Sequence, residues 1–212
     1  KFWVRGLRST NPASVATLVR SLGAYAKPEV HSLLLARLNA PSFRNEVADA
    51  AIAAMRLQDD PEYLGPILET LARDESKFTT PGFSQGLAVL GYLGRNEADK
   101  TKPREFLLGH LNSRKRAVRI ASLEALGELG DPKAIAAVEK LASAGRQNPE
   151  RDAAESALRR LRAGRRPVDD FKNLREEVLT LQKANRELRQ EFEDFKKKVE
   201  ATGLKLQVGS QH

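Results

Sequence analysis

The chain contains no cysteine. Disulfides, thiolate nucleophiles and cysteine-ligated zinc are therefore excluded, and the redox state of its compartment leaves no mark on it. Aromatic residues make up only 6% of the 212 residues. The core must then come from alanine and leucine, which suits helices stacked closely on one another. No apolar run approaches the roughly 20 residues that a membrane-spanning helix needs, so no membrane partner is expected. Histidine occurs only as His31, His110 and His212, none with a second ligand at helical spacing. No phosphate-binding loop is present. The adjacent carboxylates Asp169-Asp170 and Glu176-Glu177 would diverge by about 100° on a helix and cannot converge on a substrate. His31 and His110 are expected near the solvent edge of second helices, without a chemical role. No catalytic residue, no cofactor and no metal ligand is expected in this chain.

What is present is a repeat. Arg114 to Gly145 reads as two helices and a tight turn. Ala117, Ile120, Ala121, Ala125 and Leu126 recur at helical spacing. Gly130 stops the first helix, Asp131 supplies a capping oxygen and Pro132 sits where a helix start needs no donor. Ile135, Val138 and Leu141 form the stripe of the second helix. One such hairpin cannot bury both stripes, so it needs copies of itself. With Leu126 as a ruler, equivalent positions fall at Leu22, Met55, Leu90 and Leu158, in steps of 33, 35, 36 and 32 residues. A period in the thirties with two helices per unit is the mark of a helical solenoid. The prolines agree: Pro12, Pro41, Pro81 and Pro149 are expected to open first helices, and Pro28, Pro61, Pro103 and Pro132 second helices.

Val118, Arg119, Ala121, Ala125, Leu126, Gly127, Leu129, Gly130, Asp131, Pro132, Ala134 and Ile135 together resemble a HEAT repeat of the short, phycocyanin-lyase-like kind. The resemblance implies an all-α fold, a right-handed α-α superhelix. It also brings in a regulatory or accessory role towards a tetrapyrrole enzyme, the last of three functional readings. A second resemblance lies in the order of parts. HEAT-like pairs, then Ala157 to Pro167, then a leucine-spaced helix are similar to the C-terminal region of some bacterial gluzincin-type zinc aminopeptidases. That family's His-Glu-x-x-His and Gly-x-Met-Glu-Asn motifs belong to an upstream domain and are absent here. The resemblance implies no catalytic residue in this chain.

Four segments follow. Residues 1–11 are expected to end a preceding helix or domain, since the chain opens at Lys1 and reads as part of a longer protein. Residues 12–166 hold four helix pairs and a fifth, unpaired first helix, as a terminal repeat often does. Pro66 is expected to shift or kink the second helix of the second pair, and the polar loop from Arg95 to Lys102 is the longest inside the array. Residues 167–202 form a coiled-coil helix, and 203–212 a flexible tail. The coiled-coil seam places Phe171, Val178, Asn185, Phe192 and Val199 at a, with Leu174, Leu181, Leu188 and Phe195 at d. A central Asn at a fixes register in a two-stranded coil at a cost in stability. In a parallel pair Asp170 faces Arg175 and Glu191 faces Lys196. The expected partner is a second copy of the chain, with another protein or packing in cis as the alternatives.

The net charge of +8 keeps nucleic acid open as a partner. Arg114, Lys115, Arg116 and Arg119 are the candidate anion or nucleic-acid contacts, because cations at a helix start oppose its dipole. No aromatic residues interleave there to stack bases, and Glu124 and Glu128 follow on the same helix. The expected function is therefore a non-catalytic scaffold and dimerisation module, ahead of a nucleic-acid-binding solenoid. The compartment is left unassigned.

Overall fold

The computed structural model describes residues 11–25, 27–143 and 148–163, with single helical positions at 178, 181, 182, 185, 188 and 192. The chain divides into two units, 1–165 and 166–212, each taken by itself. In the first unit the described elements are four helix pairs and a ninth helix: α1 Pro12–Leu22 with α2 Pro28–Leu38, α3 Glu46–Gln58 with α4 Leu64–Asp74, α5 Thr80–Gly94 with α6 Thr101–Gly109, α7 Arg116–Leu129 with α8 Ile135–Ala142, and α9 Pro149–Arg162. There is no strand among the described residues.

Local chemistry sets the boundaries. Asn11, Thr79 and Asn148 accept hydrogen bonds from the first free amides of α1, α5 and α9. Asp60 and Asp131 do the same for short 3₁₀ turns at Pro61–Tyr63 and Pro132–Ala134, which run into α4 and α8. Gly130 ends α7 at φ 67°, a left-handed conformation that costs glycine little. Pro66 is the third residue of α4, where its missing N–H is not required, so α4 starts just upstream of it. Pro41 differs from expectation. It does not open α3, which begins five residues later at Glu46. Between them Arg44 and Asn45 take φ of 52° and 53°, and the Ser42 hydroxyl accepts from Val47 N–H at 3.0 Å. The serine does the capping that the proline was expected to set up.

The five ruler residues, Leu22, Met55, Leu90, Leu126 and Leu158, are all buried. The first helices of the pairs, α1, α3, α5, α7 and α9, stack in chain order as one layer, and α9 also covers α8. In α7 the stripe is centred differently from expectation. Ala121, Ala125 and Leu126 are buried, but Ala117 is exposed and Ile120 half-buried, while Val118, Ser122, Leu123 and Leu129 join the core. The reason is that α7 is sandwiched between α5 and α9 and must bury more than one narrow face.

Close approach between first helices depends on small residues one step either side of the ruler. A Cβ on Gly23 would lie 2.8 Å from Ala54 Cα, one on Gly91 2.8 Å from Ala125 Cα, and one on Gly127 2.8 Å from Ala157 Cα. Between α3 and α5 the same positions hold Arg56 and Val89. There, polar clamps join the helices: the Arg56 guanidinium lies 4.7 Å over the Tyr92 ring, and Arg95 makes two hydrogen bonds to Asp59 at 2.8 and 2.6 Å.

In the second unit Val178, Leu181, Asn185, Leu188 and Phe192 are helical and exposed. Phe171, Leu174, Phe195 and Val199 lie outside the described residues, as do residues 1–10 and 203–212.

Two comparisons test the stacking. Leu126→Ala should destabilise the chain by about 2–5 kcal/mol in chemical denaturation, whereas Glu124→Ala, on the exposed face, should shift the midpoint little; equal small shifts would refute the repeat alignment. Gly91→Ala should cost about 1–3 kcal/mol through backbone overlap. Gly65→Ala, with nothing within 4 Å of the added carbon, should instead be neutral or stabilising by up to about 1 kcal/mol.

Candidate functional site

The basic cluster comes together at the start of α7 but is divided. Lys115 is extended and its side chain caps none of the first amides of the helix. Arg119 turns inward: its Nε donates to Glu150 at 3.1 Å, a second guanidinium N–H donates to the same carboxylate oxygen, and a third donates to the Ser113 carbonyl at 2.6 Å. Arg116 Nε is 3.8 Å from that oxygen. Glu150 belongs to the first turn of α9, so these two arginines tie one repeat to the next. Arg114 and Lys115 are exposed and line an open cavity of about 450 Å³ with Glu75, His110 and Ser113. The Glu75 carboxylate there works against a polyanion. At the other basic end, Arg160 reaches Glu128 at 3.4 Å, Arg162 pairs with Glu139, and Arg159 is exposed.

The long polar loop is fastened at both ends. Lys100 Nζ donates to the Arg95 and Leu129 carbonyls, each at 2.7 Å. A cation at two helix C-termini complements their dipoles, although burial lowers the Lys100 pKa. Nearby, Arg104 donates to Asp131 Oδ2 at 2.6 Å while Lys133 N–H donates to Oδ1 at 3.0 Å. Burial works against ionised Asp131, but these two donors and the guanidinium charge outweigh it and hold its pKa below the usual carboxylate value. Asp131 is thus both the cap of α8's entry turn and a clasp to α6.

The two described histidines sit differently. His110 donates from Nδ1 to the Phe106 carbonyl at 2.8 Å, packs against Phe83 and Phe106, and keeps Nε2 3.4 Å from Glu75. His31, on α2, stacks on the fully buried Tyr63 ring at 4.7 Å. The Tyr63 hydroxyl donates to Gln58, whose amide donates to the Tyr25 carbonyl. Burial, then the charges of Asp60 and Glu62, push the Tyr63 pKa well up, so the phenol stays a donor. His31 Nε2 is shielded from solvent and has no hydrogen-bond partner. It lies 3.5 Å from Glu62 Oε2, and one ligand atom each from His31, Asp60 and Glu62 all fall within 4.8 Å of one another. Sequence reasoning missed this group because it sought a second ligand within one helix. The partners come from the turn of the next repeat, and only the repeat period of 32–36 residues hinted at such a meeting.

Residues 85–159, from within α5 to within α9, match the family model described as HEAT repeats. No curated protein matches the chain. The helical pairs and that match make this a HEAT-like repeat protein. No helix among the described residues is long and apolar enough to cross a membrane.

The Asp131 clasp gives a pH test. A carboxyl whose pKa is lower in the folded than in the unfolded chain adds stability above its unfolded pKa, near 3.9. That stability fades as pH falls through the folded value. Asp131→Asn keeps a capping oxygen but loses the charge pair. The urea midpoint of the parent chain should therefore exceed that of the variant at pH 7, and the gap should close as pH is lowered from about 4 to about 2. A gap independent of pH would show that the charge contributes nothing.

Proposed function

We propose that the chain is a non-catalytic scaffold that presents a helical-repeat surface and pairs with a second copy of itself through residues 167–202. One observation carries the reading. Val178, Leu181, Leu188 and Phe192 are helical and 43%, 61%, 65% and 64% exposed, at a and d positions of the heptad pattern. Burying a side chain of this kind stabilises by about 1.5–3 kcal/mol. A lone helix that leaves four of them in water is marginal. Asn185 shares their series and supplies the register. The charges Asp170 with Arg175 and Glu191 with Lys196 complement each other across a parallel pair.

In the first unit the ruler residues are already covered by neighbouring repeats. The solenoid and the pairing helix read as the C-terminal region of a larger protein. The order of parts supports a zinc aminopeptidase of the gluzincin type as that protein. Engagement of Arg119 and Arg116 with Glu150 favours protein interaction over nucleic acid.

Sedimentation equilibrium tests the pairing. The intact chain should be a dimer at ~50 µM, and truncation after Gly164 should give a folded monomer. Asn185→Leu should raise the melting temperature while broadening the distribution of oligomers. A monomeric intact chain at that concentration would refute self-pairing.

A further inference from the structure

We propose that His31, Asp60 and Glu62 form a binding site for a first-row divalent transition cation, with Zn²⁺ as the probe, that fastens α2 to the turn opening α4. The chemistry of the donor set points to that class. One imidazole nitrogen with two carboxylate oxygens suits zinc and its neighbours, whereas calcium and magnesium prefer oxygen alone. The spacing fits as well. Ligand atoms about 2.0–2.1 Å from a tetrahedral ion lie roughly 3.3 Å apart, and His31 Nε2 stands 3.5 Å from Glu62 Oε2. The third ligand atom, from Asp60, is within 4.8 Å of both, so a small rotation closes the set and water completes the shell.

An independent observation concerns the imidazole itself. His31 Nε2 is sheltered from solvent without a hydrogen bond, and a buried polar atom left so is costly unless something else engages it. The ring is held in place by its stack on Tyr63, itself anchored through Gln58 to the Tyr25 carbonyl. Asp60 is fixed too, since its Oδ1 accepts from the Glu62 N–H at 3.0 Å. The imidazole and Asp60 are thus each held by contacts already present, and small rotations of Asp60 and of Glu62, whose side chain is 75% exposed, close the set. Because His31 comes from the first pair and the carboxylates from the second, the ion would join consecutive repeats.

Calorimetric titration of the full chain with Zn²⁺ should show one site of micromolar affinity, and Co²⁺ should give the visible absorption of a tetrahedral complex. His31→Gln and Glu62→Gln should each weaken binding by at least about tenfold, while His110→Gln should leave it unchanged. Zn²⁺ should raise the melting temperature of the parent chain and of His110→Gln but not of His31→Gln. If His31→Gln fails to fold by circular dichroism, Glu62→Gln decides, because its exposed side chain carries no packing. Absence of binding up to millimolar Zn²⁺ would overturn the proposal and leave a simple histidine–carboxylate pair. Equal binding by parent and Glu62→Gln would overturn it in favour of ligands elsewhere, such as His212.

Discussion

The structure rests on the close approach of successive first helices. A solenoid buries nothing unless each repeat touches the next along its whole length, and here contact is brought to backbone distance by glycine against alanine. Gly23 meets Ala54, Gly91 meets Ala125 and Gly127 meets Ala157. The large ruler residues beside them are then enclosed on all sides, from Leu22 at one end to Leu158 at the other. Without that approach the same leucines would face partial voids, and dispersion falls off steeply with even a small gap. The scarcity of aromatic residues follows, because a wide side chain at these steps would hold the helices apart.

Where the small pair is missing, another interaction takes its place. Between α3 and α5 the chain puts Arg56 and Val89 at the equivalent steps. Arg56 and Arg95 both lie over the Tyr92 ring, and Arg95 closes on Asp59. Burial of Arg95 disfavours its charge, but the hydrogen bonds to Asp59 outweigh that and raise its pKa. Similar polar clasps recur about one repeat apart elsewhere: Arg20 to Asp49, Arg73 to Asn39, Arg104 to Asp131 and Arg119 to Glu150. The more exposed of these, such as Arg20 with Asp49, add little energy individually. Their use is to set the register of one repeat on the next, which non-directional apolar packing leaves loose.

These clasps also bear on function. Much of the excess positive charge that a reader of composition would assign to a polyanion is committed inside the array. Arg119, Arg160 and Arg162 each meet a glutamate from a different helix. Among the described residues the large exposed apolar side chains are Tyr25, Phe43 and Leu57 in the first unit and Val178, Leu181, Leu188 and Phe192 along the heptad series.

The sequence by itself determined the architecture: the period of the ruler residues, the proline-marked helix starts, the left-handed Gly130 and the Asp131 cap are local or periodic signals, fixed by backbone preferences within a few residues. It misplaced the start of α3, because Ser42 reaching Val47 N–H and two left-handed residues are a turn geometry that composition does not announce. It centred the α7 stripe too narrowly, because burial there depends on neighbours on both sides. Only the tertiary structure decided which charges are committed and which residues meet His31. Both depend on side chains some thirty residues apart being brought together by stacking, and a distance in space of that kind has no counterpart in a single helix's spacing.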